Sequence, residues 1–78
     1  MTQSKADIVI DAREMEPPEP FVRTMEALDQ IGPGERLLLL LMREPNPLYR
    51  ALDLNGFAYK SDRSVDGVCE ILIWRKAG

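Results

Sequence analysis

Histidine is absent from this chain and cysteine occurs once, at Cys69. The first absence removes the commonest general base and the commonest metal ligand together. A lone cysteine cannot form an intramolecular disulfide, so a disulfide-stapled secreted scaffold is excluded. Long apolar runs are missing as well. The longest, Leu37 to Met42, falls far short of the roughly 20 residues a membrane span needs. The opening "MTQSKADIVID" lacks the apolar stretch of a signal peptide. These features lead us to expect a cytoplasmic protein without a membrane partner. Basic charge is also scarce: ten Lys and Arg stand against thirteen Asp and Glu, for a net charge of -3. Nonspecific attraction to phosphate backbones is then weak, which argues against nucleic acid as a partner.

The residues that are present suit one small soluble domain. Of 78 residues, 45% are hydrophobic and 29% charged, a balance too apolar for disorder and too mixed for a membrane protein. No repeat, low-complexity tract or internal linker interrupts the chain. We read residues 1–6 as a loose polar tail and residues 7–76 as a single domain.

"DIVID", Asp7 to Asp11, is a β-branched run bounded by acids and reads as a first strand. After "REMEPPEP", Phe21, Met25 and Leu28 recur at helical spacing, with Val22 and Ile31 widening the stripe and Arg23, Glu26 and Asp29 facing away. Gly32 to Glu35 ends that helix. Arg36 to Met42, "RLLLLLM", has no alternation, and its length favours a central strand. Asn46 to Gly56 reads as a second helix: Asn46 is placed to cap it, Pro47 suits its first turn, and Asn55-Gly56 supplies a left-handed stop. Its inward stripe would be Leu48 and Leu52, with Tyr49 or Ala51 beside them. "FAYKSD" and "VCEILIWRK" read as closing strands joined through Asp66-Gly67, with Cys69, Ile71 and Ile73 on one face of the last.

The order βαβαββ implies an α/β (α+β) two-layer sandwich, with a mixed four-stranded sheet carrying both helices on one face. The other sheet face is then open. It carries either Leu38, Leu40 and Met42 or Leu37, Leu39 and Leu41, and is a candidate contact surface, for a homodimer among others. Cover by tails and long charged side chains is the competing reading.

Chemistry-bearing residues gather at one edge. In a parallel arrangement the first two strands end on the same side, so Arg13 and Arg43 would lie beside both helix starts, where open α/β sheets often bind ligands. With Glu16, Pro17, Glu44 and Tyr49 they form the candidate binding set. Two guanidinium groups there could hold a carboxylate, a phosphate or an acidic side chain of a protein partner. Alternatively, Arg13 pairs with Asp11, Glu16 or Glu44 and merely fixes the proline loops. Glu14, Glu16 and Glu19 crowd the first helix start, where negative charge is favourable, and follow no metal-binding spacing. We expect no metal and no cofactor.

"IDAREMEPPEPFVRTMEAL", Ile10 to Leu28, resembles the signature of the TusA-like, or SirA-like, sulfur carriers, in which a strand ending in Asp-x-Arg runs into Cys-Pro-x-Pro at a helix start. "PGERLLLLL" and the final strand match that layout, so the resemblance covers Ile8 to Lys76. "EPPEP" and "REPNPLY", Arg43 to Tyr49, are similar to an uncharacterised branch of the superfamily, whose members often have histidine where this chain has Leu41, Met42 and Arg43. In the carriers the cysteine ahead of Pro-x-Pro receives a persulfide, its thiolate favoured by the helix start. Pro17 occupies that position here and offers neither a thiol nor an N–H. The resemblance thus implies a noncatalytic binding or interaction module, linked to sulfur or redox metabolism. The alternative is a sulfur carrier rearranged around Cys69, whose strand position suits a buried thiol better than a reactive one.

Overall fold

In the computed structural model, which describes residues 6–76, six elements alternate as the sequence pattern requires. They are β1 (Ile8–Asp11), α1 (Glu19–Gln30), β2 (Arg36–Leu41), α2 (Asn46–Leu54), β3 (Phe57–Arg63) and β4 (Cys69–Arg75). The expected tail, but for its last residue, lies outside the described residues. Sheet order is β1-β2-β4-β3. β1 and β2 pair in parallel across α1, and β4 runs antiparallel to both its neighbours. The mixed two-layer sandwich is therefore as expected.

The leucine run of β2 resolves into alternation once the chain is folded. Leu37, Leu39 and Leu41 are buried, and Leu38 and Leu40 are half-buried on the other face. Leu39 pairs with Ile10 on one side and Ile71 on the other, at the centre of the core. Each fully buried leucine of this kind contributes about 1.5–3 kcal/mol. Cys69, Ile71 and Ile73 share that inner face and are fully buried.

Helix α1 keeps Met25, Leu28 and Ile31 of its expected stripe on the core and departs from it at the start. Phe21 and Val22 are 38% and 46% exposed, whereas Thr24 is fully buried and continues through Leu28 to Ile31. The side chain of Thr24 satisfies itself within the helix: Oγ1 donates to the Pro20 carbonyl at 2.7 Å, so burial leaves no orphaned hydroxyl. Pattern reading counts threonine as polar and so shifts the stripe by a fraction of a turn. At the far end, Arg75 on β4 donates Nε to the Ile31 carbonyl at 3.1 Å and Nη2 to the Leu28 carbonyl at 3.4 Å. A cation thereby answers the negative end of the helix dipole. The chain then turns through Gly34, whose φ of +84° suits a residue without Cβ.

Helix α2 lacks the side-chain cap expected of Asn46, which stands inside the helix. The Pro45 carbonyl accepts instead from Leu48 N–H at 2.9 Å and Tyr49 N–H at 3.2 Å, and Pro47 has no donor to satisfy. Leu48 and Leu52 point inward as expected. The stop at Asn55-Gly56 also holds, with Gly56 at φ +82° and Asn55 Nδ2 donating to the Ala51 carbonyl at 2.7 Å. Among the described residues no helix is long and apolar enough to cross a membrane.

Candidate functional site

Parallel pairing of β1 with β2 delivers both strand ends to one edge, and each end runs into a proline-bearing helix start. On the first side, Ala12 N–H extends the pairing to the Leu40 carbonyl at 2.9 Å before the chain turns through Arg13 to Met15. Glu16, Pro17 and Pro18 then lead into α1; the Pro17–Pro18 peptide is cis. On the second side, Met42 to Pro45 lead into α2. Between the two starts lies a groove of about 620 Å³.

Its floor is core surface, provided by Ala12, Leu39, Leu41 and Leu48. Pro17, Pro20 and Phe21 form one wall and Pro45 and Pro47 the other. This explains the exposure of Phe21: the ring faces a groove that the rest of α1 does not fill. The lining is predominantly apolar, with Arg13, Glu16, Arg43 and Glu44 as its charged members.

These charges are not equivalent. Arg13 donates Nε and Nη2 to the two carboxylate oxygens of Asp11, both at 2.7 Å, and its backbone N–H reaches the same carboxylate at 3.2 Å. Hydrogen bonding from Arg13 holds the Asp11 carboxyl at about 2, below its ordinary 3.8, and the pairing raises Arg13 in turn. Of the partners expected for Arg13, Asp11 is the one the fold supplies. Glu44 is likewise occupied. Tyr49 Oη donates to its Oε1 at 2.6 Å, while the Cys69 thiol, at 3.6 Å, and Arg63 Nη2, at 3.6 Å, meet its Oε2. Arg43 and Glu16, by contrast, make no ion pair among the described residues.

Tyr49 therefore lies apart from the groove. Its ring stacks on Tyr59 with centroids 4.5 Å apart and planes within 8°, and its hydroxyl braces Glu44. Burial, reinforced by the Glu44 carboxylate, pushes the Tyr49 phenol well above its ordinary value. Burial raises the Cys69 thiol too, followed by the negative charge of Glu44. A buried thiol facing a carboxylate stays protonated at neutral pH and is a poor nucleophile. Five of the six candidate residues line the groove, and the sixth orients one of them. Arg63 on β3 was not in the candidate set; its link to Glu44 spans 19 positions of sequence and has no local signal. Among the described residues no group of three or more acids or cysteines is placed to hold a metal.

A family model described as an uncharacterised conserved protein, DUF2249, matches residues 9–75. The crystal structure of a SirA-like protein from Desulfitobacterium hafniense superposes with a TM-score of 0.79 at 25% sequence identity, over 90% of this chain and 99% of that one. No curated protein matches. The fold is thus SirA-like.

Proposed function

This chain belongs to the uncharacterised conserved protein family DUF2249, and we propose that it is a noncatalytic binding module whose groove between the two helix starts takes an anionic group carried on an apolar body. The anion is either a small ligand or an acidic side chain of a protein partner. The observation that carries this reading is an apolar groove of about 620 Å³ beside a guanidinium, Arg43, that no described acid neutralises. Arg13 differs: its fork is already closed on Asp11. Pro17 stands where the resembling sulfur carriers keep their cysteine, and burial of Cys69 supports a site without a nucleophile. A link to sulfur or redox metabolism belongs to the same proposal.

The test uses 1-anilinonaphthalene-8-sulfonate, an aromatic body with one anionic group, followed by amide chemical shifts. Shifts are expected at Phe21, Leu41 and Arg43, with binding weakened about tenfold by Arg43→Ala, the equivalent of 1.4 kcal/mol. Shifts confined to other surfaces would sink the proposal. A persulfide donor provides the contrary outcome: a mass gain of one sulfur atom on Cys69, lost on reduction, would replace the module with a sulfur carrier.

A further inference from the structure

The sheet face away from the helices carries three cross-strand rows whose order is set by register. The first row runs Asp11, Leu40, Glu70, Asp62 and is acidic. The second runs Val9, Leu38, Leu72, Lys60 and is apolar over its first three strands. The third runs Asp7, Arg36, Trp74, Ala58: Asp7 exchanges hydrogen bonds with the Arg36 backbone at 2.8 and 3.0 Å, and the Arg36 guanidinium lies 5.9 Å from the Trp74 ring. Val9 is 59% exposed, and Leu38, Leu40, Leu72 and Trp74 are all half-buried. One end of the face therefore carries three acids, and the other carries Asp7, an indole and an arginine that makes no ion pair among the described residues, with aliphatic groups between.

We propose that this face docks a second copy of the chain. A twofold axis lying between the sheets and across the strands lays the acidic row of one copy on the Arg36–Trp74 row of the other, while the middle rows meet each other. Arg36 of the second copy then comes down over Leu40, between Asp11 and Glu70, and the same contact is repeated by symmetry. Stacked sheets pack about 10 Å apart, within reach of arginine and glutamate side chains. A twofold axis along the strands would instead lay Asp11 on Asp62 and Arg36 on Trp74, away from Glu70, and so loses the arginine–acid contact. In the chosen arrangement Asp11 faces Asp7 of the second copy, but its charge is answered by its own Arg13. Lys60 meets its counterpart at the outer strand, where water and salt screen the pair.

The size of the contact sets its strength. Four strands about 4.8 Å apart and three rows about 6.8 Å apart cover roughly 400 Å² on each copy, near 800 Å² in total. That is below the roughly 1,200–2,000 Å² of stable specific interfaces, so the dimer is a weak, transient one that depends on concentration.

Sedimentation equilibrium from about 10 µM to about 1 mM, an interval chosen for a contact of this size, tests the proposal. Emission from Trp74, the single tryptophan, is read over the same range. Wild type is expected to pass from monomer to dimer with a blue shift of Trp74. Arg36→Glu and Glu70→Arg each raise the dimer Kd by at least about tenfold, or 1.4 kcal/mol. The double variant returns it to within about threefold of wild type, while Arg50→Glu on α2 leaves it unchanged. A monomer throughout, a dimer indifferent to either reversal, a double variant without rescue, or unshifted Trp74 emission would each overturn the assignment. Because the groove plays no part in this contact, its failure to bind 1-anilinonaphthalene-8-sulfonate leaves this test unaffected.

Discussion

Replacing Tyr49 by phenylalanine deletes one oxygen and little else. The ring stack on Tyr59 survives, so the change isolates the hydroxyl that donates to Glu44 Oε1 at 2.6 Å. A hydrogen bond to a charged acceptor is worth about 1.5–3 kcal/mol when shielded from water. Here the Glu44 side chain is 44% exposed, and its other oxygen keeps Arg63 and Cys69, so water and the remaining donors recover part of that. We expect a loss of about 1 kcal/mol. For a domain of this size that lowers the thermal midpoint by about 4–8 °C, and the urea midpoint by somewhat under about 1 M. The assay is equilibrium urea unfolding at neutral pH, with a double-mutant cycle against Glu44→Gln. In the Glu44→Gln background the cost of Tyr49→Phe falls to less than half, because the acceptor is no longer charged. Equal costs in both backgrounds would refute the bond as the cause, and a loss above about 3 kcal/mol would mean that Tyr49→Phe had disturbed the stack as well.

Two further predictions concern titration. The Cys69 thiol and the Tyr49 phenol are both raised in the native state, so the stability they contribute is full below the ordinary values of 9.0 and 10.0 and is lost as pH climbs through the higher native ones. Urea midpoints should therefore begin to fall near pH 9 and go on falling as pH rises beyond 10, and Cys69→Ala should flatten the lower part of that decline; an identical slope in wild type and variant would contradict the shift. Asp11 runs the other way: its lowered carboxyl contributes above 3.8 and loses that contribution as pH falls through about 2. Carboxyl resonances followed by NMR should show Arg13→Gln returning Asp11 toward 3.8, and no movement would show that Arg13 does not set it.

Several of these contacts are read from neighbours in the chain, and several are not. Asp11 and Arg13 stand two positions apart, so their pairing was among the alternatives open from the sequence. The left-handed stop at Gly56 and the inward Leu48 and Leu52 follow from local chemistry, and the structure retains them. Of the expected α1 stripe, Met25, Leu28 and Ile31 hold and Phe21 and Val22 do not, because Thr24 takes the inner place and hides its polarity in its own helix. Glu44 was placed at the correct edge, but its three donors come from α2, β3 and β4, which no local pattern connects.

Taken alone, the sequence determined the order of elements, the inner face of β4 and the proline-bearing helix starts, since each depends on spacing or backbone preference within about a dozen residues. Which leucines of β2 face the helices was left open by a run that looks the same from both sides. Tertiary structure decided that, because burial belongs to a face only after the strands are ordered and both helices have chosen their side. It also decided that Arg13 is spent on Asp11 while Arg43 is left at the groove, and that Glu70 and Arg36 stand at opposite ends of the open face. Such relations arise from register between strands distant in sequence, where no periodicity within one segment can record them.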